Sequence, residues 1–283
     1  MVSKGDIMKR LDYMKSIWVV GASSGIGLAL AQSLAAADRT LFISARNLAA
    51  LEAAAAGLPG TVVPLALDVT DSRSVAAAAK QIEAHTGALD MVIINAGTCE
   101  YIDSREIEIN IIKRVMDTNF QGALQVMDAA LPLLRKAKKL NAEKGVEHQP
   151  QLVVVSSSVT YQALPRAGAY GASKAALRYF TECLKLDLQH EGIDVRLVSP
   201  GFVKTPLTDK NDFPMPFIVS QDYAANAILK GLNSKTFDIK FPSRFTALLK
   251  LVALFPDALR FKWVGKMSRH TQLSDIAKTG SEW

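Results

Sequence analysis

Two residues of the 283-residue chain stand at a spacing that can do chemistry: Tyr170 and Lys174, in the run Tyr170-Gly171-Ala172-Ser173-Lys174. On a helix, residues four apart share one face and lie about 6 Å apart along the axis. A free phenol titrates near 10, so only ~0.1% is ionised at pH 7, and bringing it to neutrality takes ~3–4 kcal/mol. A cation ~4 Å away supplies about that much at an effective dielectric near 20. With an ammonium at Lys174, Tyr170 could act as a general acid/base near neutral pH.

Such a pair needs a scaffold, and the chain reads as one. Apolar runs at residues 17–20, 40–44, 62–67, 89–94, 152–155 and 195–198 are continuous rather than alternating, as in strands buried on both faces. Between them lie Ala- and Leu-rich segments at 28–37, 48–56, 75–84, 111–137 and 172–189, which favour helix. Strand–helix repetition predicts an α/β fold, a doubly wound parallel sheet with right-handed crossovers. The polar stretch 136–151 reads as a helix end and loop, not a domain boundary.

Composition narrows the class. Charged residues make up 21% and hydrophobic ones 49%, an ordinary globular balance. Cys99 and Cys183 are far apart, and the four histidines are scattered, so no metal site is expected. The first fifteen residues carry charges throughout, unlike a signal peptide, and no uncharged stretch is long enough to span a bilayer. A cytoplasmic protein is expected. Of the net charge of +6, residues 243–270 hold six basic side chains against Asp257 alone. The positive charge therefore marks a basic tail, not a nucleic-acid-binding protein.

The first strand runs into Gly21-Ala22-Ser23-Ser24-Gly25-Ile26-Gly27, which opens a helix. Such a turn aims backbone N–H groups and a positive helix end at a phosphate, as in the Rossmann fold. Gly21 permits the tight turn, Gly25 a close approach to pyrophosphate, and Gly27 close helix–strand packing. At the end of the second strand stands Ser44-Ala45-Arg46, without the carboxylate that would bind the ribose hydroxyls and repel a 2′-phosphate. Arg46 could grip that phosphate with two hydrogen bonds, which favours NADP(H) over NAD(H).

From residue 17 to about Thr205 the chain resembles the short-chain dehydrogenase/reductase superfamily, in its short single-domain branch, with five motifs in order. The glycine spacing is the superfamily's, although Val20 stands where a threonine is usual. The resemblance implies that Asp68 and Val69 contact the adenine, and that Asn95-Ala96-Gly97 lets the backbone pass close to the cofactor. It assigns catalysis to Asn119, Ser157, Tyr170 and Lys174. Ser157 would hold the substrate oxygen beside Tyr170, with Ser158 as the alternative in the triplet Ser156-Ser157-Ser158. Asn119 would hold a water linked to Lys174. In the segment after the sixth strand, Pro200, Gly201, Val203 and Thr205 would cover the nicotinamide, with Tyr170 and Lys174 also touching the cofactor. The implied activity is reduction of a ketone or aldehyde, or oxidation of the matching alcohol, by a homodimer or homotetramer joined through helices around residues 116–137 and 169–189. A non-catalytic cofactor sensor on the same fold, and an isomerase or dehydratase using nicotinamide transiently, are the alternatives.

Residues 1–242 are expected to form the dinucleotide-binding domain, with a substrate loop at about 206–220 whose aromatics and Met215 suggest an apolar small-molecule substrate. Residues 243–283 are expected to form a basic, helical, amphipathic tail, with Pro256 starting its second helix. Its apolar side would pack on the core or on a partner subunit, the favoured reading, or lie on anionic membranes.

Overall fold

The computed structural model describes residues 11–103 and 105–266; the expectations for residues 1–10 and 267–283 lie outside the described residues. Seven strands form one parallel sheet: β1 (Ser16–Val20), β2 (Thr40–Ala45), β3 (Thr61–Ala66), β4 (Met91–Ile94), β5 (Gln151–Val155), β6 (Asp194–Pro200) and β7 (Asp238–Phe241). Their order is β3-β2-β1-β4-β5-β6-β7. Helices α1 (Gly25–Leu34), α2 (Leu48–Ala55), α3 (Ser72–Thr86), α4 (Ile109–Met116), α5 (Gly122–Glu143), α6 (Gly168–Leu188) and α7 (Gln221–Leu232) flank it, followed by α8 (Ser243–Ala253) and α9 (Asp257–Gly265).

The sheet separates two apolar cores, and strand alternation feeds both. Ile17 and Val19 face one core with Leu30 and Leu34 of α1 and Ile228 of α7. Trp18 and Val20 face the other with Ile82 of α3, Val126 of α5 and Leu177 of α6. Every residue of β1 is buried, which explains its continuous apolar reading. The indole of Trp18, fully buried, donates to Ser44 Oγ at 2.8 Å, so its polar edge is satisfied.

β1 lies between β2 and β4, where the chain reverses its direction of travel across the sheet. The connections leaving β1 and β4 therefore diverge and open a crevice at the carboxyl ends of the strands. In-register pairing of Val20 with Ser44 and Ile94 aligns those ends.

Three features differ from the sequence-based expectation. Helix α1 starts earlier, at Gly25, so the glycine loop itself forms its first turn. The segment read as one helix over 111–137 is α4 and α5 joined by a wide π turn, Asp117–Gln121. The seventh strand was not foreseen: Asp238-Ile239-Lys240-Phe241 is short and charged at alternate positions, as suits an edge.

Candidate active site

A cleft of about 780 Å³ opens over the carboxyl ends of β1 to β4. Gly21 has φ +85°, and its N–H donates to the Ser44 carbonyl at 2.7 Å, turning the chain sharply off β1. A side chain at Gly27 would place its Cβ 2.0 Å from the Gly21 oxygen, so only glycine lets α1 approach the strand end so closely. Asn95 braces the same turn, Nδ2 donating to the Gly21 carbonyl at 2.9 Å.

The cleft is lined by Gly21, Ser23, Ser24, Gly25 and Ile26 on one side and by Arg46, Asp68, Val69, Asn95, Ala96, Gly97 and Thr205 around the rest. Ser24 is the N-cap of α1 but makes no side-chain capping bond, leaving the first-turn N–H groups for another acceptor. Arg46 is exposed at the rim. This donor set, an uncapped helix N-terminus with a guanidinium at the far wall, suits an anionic dinucleotide. The Asp68 carboxylate is held by the Thr70 N–H at 2.9 Å and hydroxyl at 2.8 Å, which together with the nearby Arg46 charge keep it below the usual carboxylate range. That side chain shapes the turn after β3.

A smaller pocket, about 120 Å³, continues the cleft past Asn95, Gly97 and Thr205 to Ser157, Tyr170 and Lys174. Helix α6 carries Tyr170 and Lys174 on the same face, as their spacing implies. The three adjacent serines have separate tasks. Ser156 Oγ donates to the Lys174 carbonyl at 3.0 Å, fastening α6 to the end of β5. Ser157 lines the pocket beside the Tyr170 phenol, near enough to lower its pKa, and accepts from the Val159 N–H at 3.2 Å. Ser158 is buried at the start of the following 3-10 turn.

Lys174 is 4% exposed, and its ammonium donates to the Val155 carbonyl at 3.0 Å. Burial lowers its pKa from 10.5 to about 8. The phenol of Tyr170 moves the other way from the expectation that Lys174 would depress it. Desolvation pushes it well above 10 and the nearby Cys99 adds to this, with only the neighbouring Ser157 hydroxyl opposing. Lys174 does not offset this, because it loses its proton near 8, below the pH at which the buried phenol ionises.

The wide turn before α5 places Asn119 at the back of the pocket, fully buried. Its Oδ1 accepts from the Thr98 N–H at 2.7 Å, while Nδ2 donates to the Thr98 carbonyl at 2.8 Å and to Ser173 Oγ at 2.9 Å. Asn119 thus clasps the loop after β4 to the helix that carries the Tyr–Lys pair. From β6, Pro200, Gly201, Val203 and Thr205 form the pocket's opposite wall. Val203 pairs with Val219, and the Thr205 N–H donates to Thr208 Oγ1 at 2.9 Å.

Residues not foreseen from the sequence complete the surroundings. Cys99, two positions beyond Gly97, lies beside Tyr101 and close enough to Tyr170 and Lys174 to perturb both. Burial raises its thiol pKa. An aromatic cluster lies nearby: Tyr101 packs edge-on against Phe213 at 5.3 Å, and Phe202 contacts Phe213 at 6.1 Å and Phe245 at 5.3 Å. Arg166 lies over the Tyr101 ring at 5.4 Å and pairs with Asp212 at 2.8 Å, tying the 206–220 segment to the start of α6. Position in the loop after β4 was the one available signal for Cys99; the aromatics come from four separate segments.

Residues 15–214 match the family described as short chain dehydrogenase. An uncharacterized oxidoreductase of Myxococcus xanthus is 34% identical over 257 residues, covering 89% of this chain and 96% of its own. The 11-beta-hydroxysteroid dehydrogenase 1A of Arabidopsis thaliana is 30% identical over 273 residues, covering 88% and 74%. Among solved structures, an alcohol dehydrogenase of Thermococcus sibiricus complexed with 5-hydroxy-NADP superimposes with a TM-score of 0.70 at 24% identity, over 81% of this chain and 96% of that one.

Proposed function

Since the chain belongs to the short-chain dehydrogenase family of oxidoreductases, we propose that it reduces a ketone or aldehyde on an apolar small molecule, with NADP(H) preferred and Tyr170 as the proton donor. The observation that carries this reading is the convergence of Ser157, Tyr170 and Lys174 on one pocket that opens into the larger cleft past Asn95, Gly97 and Thr205.

In this mechanism a substrate carbonyl oxygen sits between the hydroxyls of Ser157 and Tyr170. Ser157 donates one hydrogen bond to it, and Tyr170 donates the proton as negative charge develops. Burial holds the phenol protonated, which is the form a donor needs. Lys174 stands behind as a buried cation that favours the phenolate left after transfer. Asn119 keeps the Thr98 loop and α6 at fixed separation, so the geometry is set before substrate arrives. Bound in the larger cleft, the reduced nicotinamide would supply the hydride. Gly21, Ser23, Ser24, Gly25, Ile26 and Gly27 would hold its pyrophosphate, Asp68 and Val69 its adenine, and Pro200, Gly201, Val203 and Thr205 its nicotinamide end.

The preference for NADP(H) rests on Arg46 and on the absence of a carboxylate at the end of β2. An apolar substrate is supported by the Tyr101, Phe202, Phe213 and Phe245 cluster near the site and by the likeness to a protein named for a hydroxysteroid. Assembly through α5 and α6 is supported by the exposed Tyr179, 73%, and Leu186, 65%, on α6. The test is NADPH oxidation by purified protein with carbonyls from short ketones to long aldehydes and hydroxysteroid-type ketones, beside Tyr170→Phe. Turnover lost in the variant with NADPH binding retained is the expected result. NADPH binding without turnover on any carbonyl would instead favour a sensor.

A further inference from the structure

We propose that the outer face of the α8–α9 hairpin docks on anionic lipid surfaces. The hairpin is two-sided. Helix α8 turns Phe245, Thr246 and Leu249 inward, where all three are buried. Its other side leaves Leu248 48%, Leu251 55% and, just past its end, Leu254 81% exposed. Helix α9 buries no residue, and Phe261 and Trp263 are 56% and 46% exposed. The Phe255 and Trp263 rings, 5.0 Å apart, hold the two helices as one body. The expectation that this tail packs on the core therefore accounts for one side of α8 and leaves an apolar surface without cover among the described residues.

The charge of the hairpin says what would cover it. Residues 243–266 hold five basic side chains against Asp257 alone, a net +4. Asp257 is already paired with Arg260 at 2.6 Å, and Lys250 turns inward over the Tyr161 ring at 4.4 Å. Arg244, Lys262 and Lys266 remain exposed around the apolar face. A two-fold contact between copies of this chain would bring the same positive patch against itself. Anionic headgroups over an acyl layer match both parts: the cations meet phosphates and carboxylates while the leucines and aromatics sink to the acyl boundary. At eleven residues, α8 is far too short to cross a bilayer, and no helix among the described residues is long and apolar enough to do so. The hairpin would lie in the interface plane.

Phe217 and Ile218, at the end of the segment over the site, are also exposed, and Phe217 lies 6.2 Å from Phe245 on the inner side of α8. Phe245 in turn contacts Phe202 beside the nicotinamide loop.

The experiment is sedimentation of the full chain with vesicles of phosphatidylcholine alone and of phosphatidylcholine mixed with phosphatidylserine, for wild type and Leu251→Asp/Leu254→Asp. Both leucines are exposed, so the variant should keep its circular dichroism spectrum and its turnover of a water-soluble carbonyl. The expected result is wild-type binding to the mixed vesicles only, weakened by salt, and a loss of at least ten-fold in the double variant. Replacing Lys262 and Lys266 by glutamine should lower binding roughly five-fold per residue. No binding to mixed vesicles, binding that the leucine variant retains, or a protein dimer that dissociates in that variant would each overturn the proposal, the last by showing a second copy as the occupant.

Discussion

Replacing Lys174 by methionine should make the protein more stable and less active. Lys174 is buried, and its pKa falls from 10.5 to about 8 because an ammonium is poorly solvated there. Each tenfold change in proton affinity is worth about 1.4 kcal/mol, so keeping the ammonium charged in place costs about 3 kcal/mol. Methionine has a similar length and no charge. It gives up the hydrogen bond to the Val155 carbonyl, worth about 1 kcal/mol. The net expectation is a gain of about 2 kcal/mol at pH 7. Its pH dependence follows from the direction of the shift. Below about 8 both folded and unfolded wild type carry the charge, and the penalty is fully present. Between about 8 and 10.5 the folded lysine is neutral while the unfolded one is still charged, so wild type regains stability as pH rises. The gap between variant and wild type should therefore be widest at pH 6–7 and close toward 10.5. Urea unfolding of both proteins without nucleotide, across that range, measures it. A variant less stable than wild type at neutral pH, or a gap unchanged between 8 and 10.5, would refute the assignment of Lys174 as a cation held at the cost of stability.

Other expectations follow from the same geometry. Arg46→Ala should raise the KM for NADPH by ~5–30-fold, the effect of one exposed charge-assisted contact, and leave that for NADH unchanged; steady-state kinetics with both cofactors decides it. Asn119→Ala removes the partner of the part-buried Thr98 N–H and carbonyl and one of the two bonds of the buried Ser173 Oγ, so unfolding free energy should fall by ~2–4 kcal/mol, with kcat reduced more than KM rises. Asp238 accepts from the Tyr161 hydroxyl at 2.6 Å, Ser199 Oγ at 2.7 Å and Arg178 at 3.1 Å, near the inner face of α8. Burial alone would raise its pKa, but these partners hold it below the usual value. The stability it contributes should be present above pH 4 and decline as pH falls further; Asp238→Ala should cost ~3 kcal/mol at pH 7 and flatten that acid limb in urea titrations.

The parts of this architecture that depend on local pattern were legible in the chain. Ile17 to Val20, Gly21 to Gly27 and the Tyr170–Lys174 spacing each carry their own geometric consequence, and their order along the sequence specified a doubly wound sheet. The departure at Val20 is also intelligible now: the Asn95 side chain and the Ser44 carbonyl hold the glycine turn. What escaped the sequence depends on tertiary surroundings. The direction of the Tyr170 shift comes from desolvation, which no spacing reports. Cys99 belongs to no motif, yet the loop after β4 places it beside the phenol. Strand β7 offers two charged residues in four and acquires its identity only from β6 alongside. The aromatic cluster draws Tyr101, Phe202, Phe213 and Phe245 from segments as far apart as the loop after β4 and α8.

The most direct test of the central claim is transfer of deuterium from NADPH deuterated at the nicotinamide C4 to a carbonyl substrate, read by mass spectrometry of the alcohol product. Wild type should give product carrying one deuterium, and Tyr170→Phe should bind the cofactor with similar affinity but transfer at least ~100-fold more slowly, the size of a lost general acid. Transfer at the wild-type rate in the variant would contradict the role given to Tyr170, and the absence of labelled product from any carbonyl tried with wild type would contradict the reductase itself.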